Sequence, residues 1–507
     1  MLFNSVEFFA FFLVAGTAVV LLRRRVTARN VVLVIAGYFF YAQWDWRFLG
    51  LLLLTTLLDY VAGLLLDDGG ELTPAPDDVC TPPPAESLAR AAARPHRHKL
   101  VLAASISINL LMLGFFKYFN FFTESAVALF DAIGLQPNRA TLDVLLPVGI
   151  SFYTFASIAY VVDVYRYRVR AERSLLTYAA YVAFFPQLVA GPIERMWHLG
   201  PQLRAPTTFV LERLYSACFL IGWGLFKKVV IADNMATVVD HVLMHPAPRR
   251  TGALLAMYAF AIQIYCDFSG YTDIARGTAR AMGFELLRNF DTPYLAPNPQ
   301  EFWRRWHISL STWLRDYVYI PLGGSALGRA RTYANLMLTM VLGGLWHGAA
   351  WTFVLWGAFH GLLLCAHRAM TPWLKRTMKF DNPGHQAAWD VARIVGTFHL
   401  VCFGWILFRA NSMDQLGRWI GGIVHIRDQI TPRPAEAWGR VPSPWIWAIF
   451  VCLALIYLAD LWLRERRREE AVFEITPWRR AALYAAGILA FILFGNFGGG
   501  TFIYFQF

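Results

Sequence analysis

Two histidines stand in segments too apolar for a titratable ring to be there by default. His347 lies in "GGLWHGAAW", residues 343 to 351, between two tryptophans and among three glycines, and His307 follows Trp306 in "EFWRRWHISLSTW", residues 301 to 313. An imidazole titrates near neutrality and burial holds it uncharged, which suits it to act as a general base. It would take the proton from a hydroxyl attacking a thioester. An ionisable ring at such a depth is a functional candidate; the alternative is a neutral ring hydrogen-bonded to a carbonyl. No GxSxG motif supplies a nucleophile, and Ser309 and Ser311 are weak candidates, so the attacking hydroxyl is expected to belong to the acceptor. His360, more than three helical turns beyond His347, reads as structural.

The elements that must position these rings are set by an apolar solvent. Of 507 residues, 57% are hydrophobic and 16% charged, against about 25% charged in soluble domains. Apolar runs at 5–22, 30–43, 49–66, 99–116, 143–162, 174–190, 210–232, 252–268, 333–347, 350–366, 391–408, 443–463 and 480–497 approach the roughly 20 residues that a helix needs to cross a bilayer. Several are short, which predicts re-entrant or interfacial pieces and about ten to twelve spans in an all-α polytopic membrane protein. The first run is too long and too aromatic for a signal-peptide core and is expected to remain as the first span.

Arginines at 23, 24, 25 and 29, at 166, 168, 170 and 173, and at 464, 466, 467 and 468 mark cytoplasmic loops, which places both termini outside. The net charge of +12 then reflects topology and anionic lipid, not nucleic acid. Residues 67–98, rich in Pro, Ala and charge, read as a flexible cytoplasmic loop. Five of the six cysteines lie in apolar runs and none has a CxxC or His/Cys spacing, so neither a disulfide framework nor a metal site is indicated.

Around His307, residues 298 to 324 read as one helix lying in the membrane interface. Asn298 suits the N-cap, Pro299 the first turn and Glu301 the capping box. A helical projection puts Trp303, Trp306, Leu310, Trp313, Leu314 and Tyr317 on one face and Arg304, Arg305, Ser309, Thr312, Arg315 and Asp316 on the other. Around His347, the 33 residues 334–366 are barely enough for two spans and a connection, with Gly343, Gly344 and Gly348 as places for bending or close packing. Pro186, Gly191 and Pro192 predict a broken helix before Glu194 and Arg195, and Asp163, Asp267, Ser269 and Asp273 add polar groups beside apolar runs. Each carboxylate alone fits an ion-pair partner; together they mark where polar matter is admitted.

These residues resemble a known family. The blocks "PVGISFYTFASIAYVVDVYR" (147–166), "FFPQLVAGPIER" (184–195), "IYCDFSGYTDIARGTARAMGFELLRNFDTPYL" (264–295), "EFWRRWHISLSTWLRDYVYIPLGG" (301–324) and "LTMVLGGLWHGAAWTFVLWGAFHG" (338–361) are similar to those of the membrane-bound O-acyltransferases, in the bacterial branch typified by the alginate O-acetylation membrane protein. The resemblance implies a ring of tilted helices around a central tunnel. A catalytic core at 141–420 would lie between N-terminal helices at 1–140 and C-terminal helices at 421–507.

It also implies that His347 is the essential histidine and His307 the second motif histidine. Trp303, Arg304, Arg305, Trp306, Trp346, Asp267, Ser269, Asp273 and Asp316 would line the tunnel or meet the donor. The donor would be acetyl-CoA or another acetyl thioester on the cytoplasmic side, with no bound cofactor and no metal. The acceptor would be an exopolysaccharide outside the bacterial inner membrane, reached through a periplasmic SGNH-type acetyltransferase or another polysaccharide-modifying protein. D-alanyl transfer to a teichoic-acid-type polymer is the competing reading within the family. A polysaccharide transporter or flippase is the reading from another class.

Overall fold

The computed structural model describes residues 1–74, 76, 78–135, 146–189, 191–244, 250–378, 380–424, 451–452, 454–455, 458–459, 475–498 and 502–503. Among them the regular structure is helical apart from a lone β-bridge between Phe290 and Trp306. The helices are α1 (Val6–Leu21), α2 (Val26–Asp45), α3 (Leu49–Leu66), α4 (Ala85–Ala92), α5 (His96–Ala132), α6 (Ile150–Tyr165), α7 (Leu175–Val182), α8 (Phe185–Leu188), α9 (Met196–Arg204), α10 (Leu211–Leu225), α11 (Asp233–Leu243), α12 (Arg250–Ala281), α13 (Pro299–Arg305), α14 (Ile308–Leu314), α15 (Arg329–His347), α16 (Trp351–Thr377), α17 (Pro383–Arg409) and α18 (Met413–Val424), followed by a helix at Pro477–Phe494.

Each described apolar run has become helix, because a backbone without water must satisfy its own hydrogen bonds. Seven described stretches are long and apolar enough to cross a membrane, and α1 and α6 are shorter apolar helices. Most of the run 443–463, and Arg464, Arg466, Arg467 and Arg468, lie outside the described residues. The run 174–190 is broken into α7 and α8, with Pro186 in the first turn of the second piece, as the prolines and glycine there predict.

The chain forms two compact units interleaved in sequence, one of residues 1–221, 274–287 and 315–317, the other of residues 222–273, 288–314 and 318–507. In the first, α3 packs on α5 and α6, and α2 on α7 and α8. Several of its buried charged groups find partners within the unit. Asp59 accepts from Ser105 at 2.6 Å and from Asn109 at 2.9 Å. Arg29 donates to the carbonyls of Leu203 at 2.7 Å and Ala205 at 2.8 Å, closing the end of α9. Asp163 accepts from Tyr317 at 2.9 Å and Arg168 at 3.4 Å, while Arg166 donates to the Asp316 carbonyl at 2.8 Å. Arg29, Arg166 and Arg168 are therefore buried; these topology-marking arginines also bond the interior.

The segment 67–98 is tied down at several points. It contains α4, Arg94 donates to the carbonyls of Leu66 and Val164, Tyr165 donates to Ala91 O, and Arg315 donates to the carbonyls of Val79 and Thr81. Compositional bias toward Pro and Ala does not reveal these long-range carbonyl bonds.

The second unit is built around the hairpin of α15 and α16. A side chain on Gly344 would collide with the Phe353 carbonyl, and one on Gly357 with the Met340 carbonyl, so the two backbones touch at paired glycines. Close backbone approach through small residues is the packing that lipid permits, since apolar side chains gain little by leaving hydrocarbon. The predicted single interfacial helix over 298–324 is instead α13, α14 and a π-helical turn at Arg315–Tyr319, broken at Trp306 and His307. Protein covers much of both faces: Trp303, Trp306 and Trp313 are buried, and so are Ser309, Thr312 and Asp316 on the opposite face.

Substituting Gly344→Ala is expected to destabilise the hairpin by about 1–3 kcal/mol through overpacking, read as a lower apparent Tm in detergent. Gly114→Ala, where nothing lies within 4 Å, is the neutral control.

Candidate active site

His347 is the last residue of α15, and Gly348, in extended backbone, ends the helix before α16 begins at Trp351. The glycine pairing lower in the hairpin brings α16 close enough for Trp356 to meet the histidine one layer above. The His347 ring lies 5.0 Å from Trp346, 5.0 Å from Trp356 and 5.2 Å from Phe408 of α17, each edge to face. Its exposure is 4%.

His307 is placed differently. It occupies the elbow between α13 and α14 at φ 45°, a left-handed conformation that costs a non-glycine residue roughly 1–2 kcal/mol. A strap at residues 289–291 holds it there. Asp291 N donates to Arg305 O at 3.0 Å, Ile308 N donates to Asn289 O at 2.9 Å, and Ser309 Oγ donates to Asn289 Oδ1 at 2.6 Å. These bonds flank residue 307 on both sides, so the elbow is over-determined. Phe268 of α12 abuts the ring at 4.7 Å, and Phe502 packs behind Phe268 at 5.9 Å.

The ring centroids of His307 and His347 are 6.3 Å apart. Elements more than thirty residues apart in sequence thus place two imidazoles around one point. That separation lets a single carbonyl held between the rings come within hydrogen-bond reach of both. His307 has no exposed surface, so with His347 nearly enclosed as well, access to either ring in this conformation requires the aromatic walls to move. A dry, preorganised pair of this kind suits proton transfer coupled to charge development.

The remaining residues singled out in the sequence separate into four groups. Trp346 borders both histidines, lying 5.7 Å from His307. Trp303 and Trp306 join the aromatic packing of the same unit, Trp306 at 4.8 Å from Trp405 and Trp303 at 5.5 Å from Trp356. Asn298 caps α13 as expected, accepting from Glu301 N at 2.9 Å, but the Glu301 carboxylate turns to Arg304 at 2.7 Å and Arg305 at 3.7 Å. Arg304 points outward with a largely exposed side chain, so the two arginines form an ion-pair cluster on α13. Asp316 belongs to the first unit, paired with Arg315 at 2.7 Å.

Asp267, Ser269 and Asp273 lie on α12 and face lysines that the sequence reading passed over. Lys227 donates to Ser269 at 2.9 Å and Asp273 at 2.6 Å; Lys228 pairs with Asp233 at 2.7 Å and Asp267 at 2.9 Å. Asp267 also accepts from Ile503 N at 2.7 Å. The lysines sit in a π-helical segment, Phe226–Ala232, whose wider turn directs consecutive side chains to different partners. Two charges inside the apolar run 210–232 were the available signal. Asn289 had none, because its partners are set by the strap.

Replacing Lys228 by Met leaves Asp233 and Asp267 buried without their cation, at a cost of about 3–5 kcal/mol. Little monodisperse protein is expected on size exclusion. Asn289→Ala is expected to leave the protein folded but to release the elbow, seen as protease sensitivity near residue 307 and reduced turnover.

Comparison with known proteins identifies the family. The family model described as MBOAT, membrane-bound O-acyltransferase family, matches residues 168–408, a span that holds His307, His347 and the walls around them. A probable alginate O-acetylase of Pseudomonas putida is 42% identical over 400 residues, covering 79% of this chain and 76% of that protein. A peptidoglycan O-acetyltransferase of Helicobacter pylori is 34% identical, covering 77% and 73%. A teichoic acid D-alanyltransferase of Bacillus subtilis is 28% identical, covering 55% and 73%. With two buried histidines brought together by helices that this similarity spans, the chain belongs to the membrane-bound O-acyltransferase family and is a multi-pass membrane O-acyltransferase.

Proposed function

We propose that the chain transfers an acetyl group from a cytoplasmic thioester, acetyl-CoA being the simplest, to a hydroxyl outside the bacterial inner membrane, and so supports O-acetylation of an alginate-like polysaccharide. The reading rests on the enclosed His307 and His347 pair, 6.3 Å apart, in a chain 42% identical to a probable alginate O-acetylase. The final acceptor is reached through a periplasmic acetyltransferase or another polysaccharide-modifying protein. Both termini would be periplasmic.

In the proposed step the neutral His347 ring takes the proton of the attacking hydroxyl as its oxygen adds to the thioester carbonyl. Collapse of the tetrahedral intermediate expels the thiolate, and the imidazolium returns its proton to the leaving sulfur. His307 faces the same carbonyl and supports the developing oxyanion. Acetyl is favoured over D-alanyl because the acetyl-transferring relatives are more similar over more of the chain. Membership of an acyltransferase family sets aside the transporter reading.

The His347→Ala protein is expected to remain folded and abundant while transfer from radiolabelled acetyl-CoA falls by about 10²–10⁴-fold, the usual share of a general base. Transfer at the wild-type rate overturns the assignment. His307→Asn keeps a residue that tolerates the left-handed elbow and separates loss of the ring from loss of the backbone; retained folding with much-reduced turnover is expected. Label recovered on a histidine after incubation with acetyl-CoA alone would replace direct transfer by a covalent relay.

A further inference from the structure

Beside the histidine pair lies a second group of polar atoms that the step above does not use. His360 of α16 is 1% exposed, and neither of its ring nitrogens has a hydrogen-bond partner among the described residues. The indole N–H groups of Trp303 and Trp356 are buried and likewise without a partner among the described residues. The three rings form one cage: His360 lies 4.9 Å from Trp356 and 5.1 Å from Trp303, and the two tryptophans are 5.5 Å apart. Phe302 stacks over His360 at 6.2 Å, and the backbone of Gly404 comes up to its Nε2 edge, where a side chain would collide with it. Trp356 is shared, touching His360 on one side and His347 on the other.

Buried polar atoms almost always have partners, so orphaned nitrogens gathered in one apolar cage point to a ligand that supplies them. The chemistry limits the ligand. An indole N–H only donates, so two of the three groups require acceptor atoms. The neutral His360 ring adds one more donor and a single acceptor nitrogen, and the rest of the cage is aromatic, so the several hydroxyl protons of a sugar would find only one acceptor. A short apolar group bearing a carbonyl oxygen satisfies both conditions. Trp303 is the most exposed of the three, at 9%.

We propose that the Trp303, Trp356 and His360 cage holds the acyl end of the donor thioester in a binding position before transfer, its carbonyl oxygen accepting from the ring N–H groups, from which the carbonyl passes along Trp356 to the histidine pair. This rests on the acyl-transfer reading above. It gives His360, which sequence alone marks as structural, a role in donor binding.

The test uses the full chain in lipid nanodiscs with acetyl-CoA and with the truncated donor S-acetyl-N-acetylcysteamine. Wild-type turnover with acetyl-CoA tests the donor itself, and its absence refutes that earlier reading independently of the cage. Given turnover, His360→Phe fills the same space without nitrogens and is expected to keep or raise the apparent Tm, as removal of an orphaned polar ring does. It is expected to raise KM for both donors roughly tenfold with kcat little changed, and His360→Gln to restore part of the loss. Wild-type KM in a folded His360→Phe protein overturns the proposal. So does a rise confined to acetyl-CoA, which would place the carrier, not the acyl group, in the cage. Should His360→Phe not fold, Trp303→Phe gives the second measurement, with a rise of about threefold expected for loss of one donor and an unchanged KM refuting it.

Discussion

A polar group placed among apolar residues has to find its partner within the chain, and that constraint organises both units of this protein. Water cannot repair an error made at bilayer depth. Asp59 is accordingly met by Ser105 and Asn109, Arg29 by the carbonyls that end α9, and the consecutive lysines 227 and 228 by three aspartates. Breaking any one of these pairs leaves a buried charge, which is why polar residues that touch no reactant still cannot be exchanged freely. Apolar association contributes less here than in a soluble core, so matched polar groups and tight backbone contacts carry more of the specificity.

The same constraint makes the exceptions informative. Among the described residues, His360 and the indoles of Trp303 and Trp356 are buried polar groups without a partner that lie together, next to the ring of His347. Lys228, by contrast, is paired twice over. An unpaired imidazole retained in an aromatic cage is therefore a different kind of feature from a buried aspartate with its lysine. The first is completed by something that binds; the second is complete already.

Positioning of the two catalytic candidates follows two separate mechanical solutions. His347 is delivered by a rigid hairpin whose backbones touch at Gly344 and Gly357. His307 is held in an unfavourable left-handed elbow by the strap around Asn289. One solution fixes a helix end and the other stores strain, yet both rings finish in the same aromatic shell. Enclosure on this scale couples chemistry to motion: the walls around both rings must open for a reactant to reach them.

Apolar run length by itself determined where the helices form, because hydrocarbon leaves a spanning backbone no alternative, and residue chemistry singled out His347 and His307. The capping of α13 by Asn298 and the break near Pro186 were equally local, each depending on a residue's own backbone preferences. Only the tertiary structure decided that Asp267 and Asp273 answer to lysines, that residues 298–317 bend at His307 instead of running on as one helix, and that His360 shares Trp356 with His347. Those outcomes depend on which groups meet across long separations in the chain, and helical periodicity records the face a residue takes but not the neighbour it finds there.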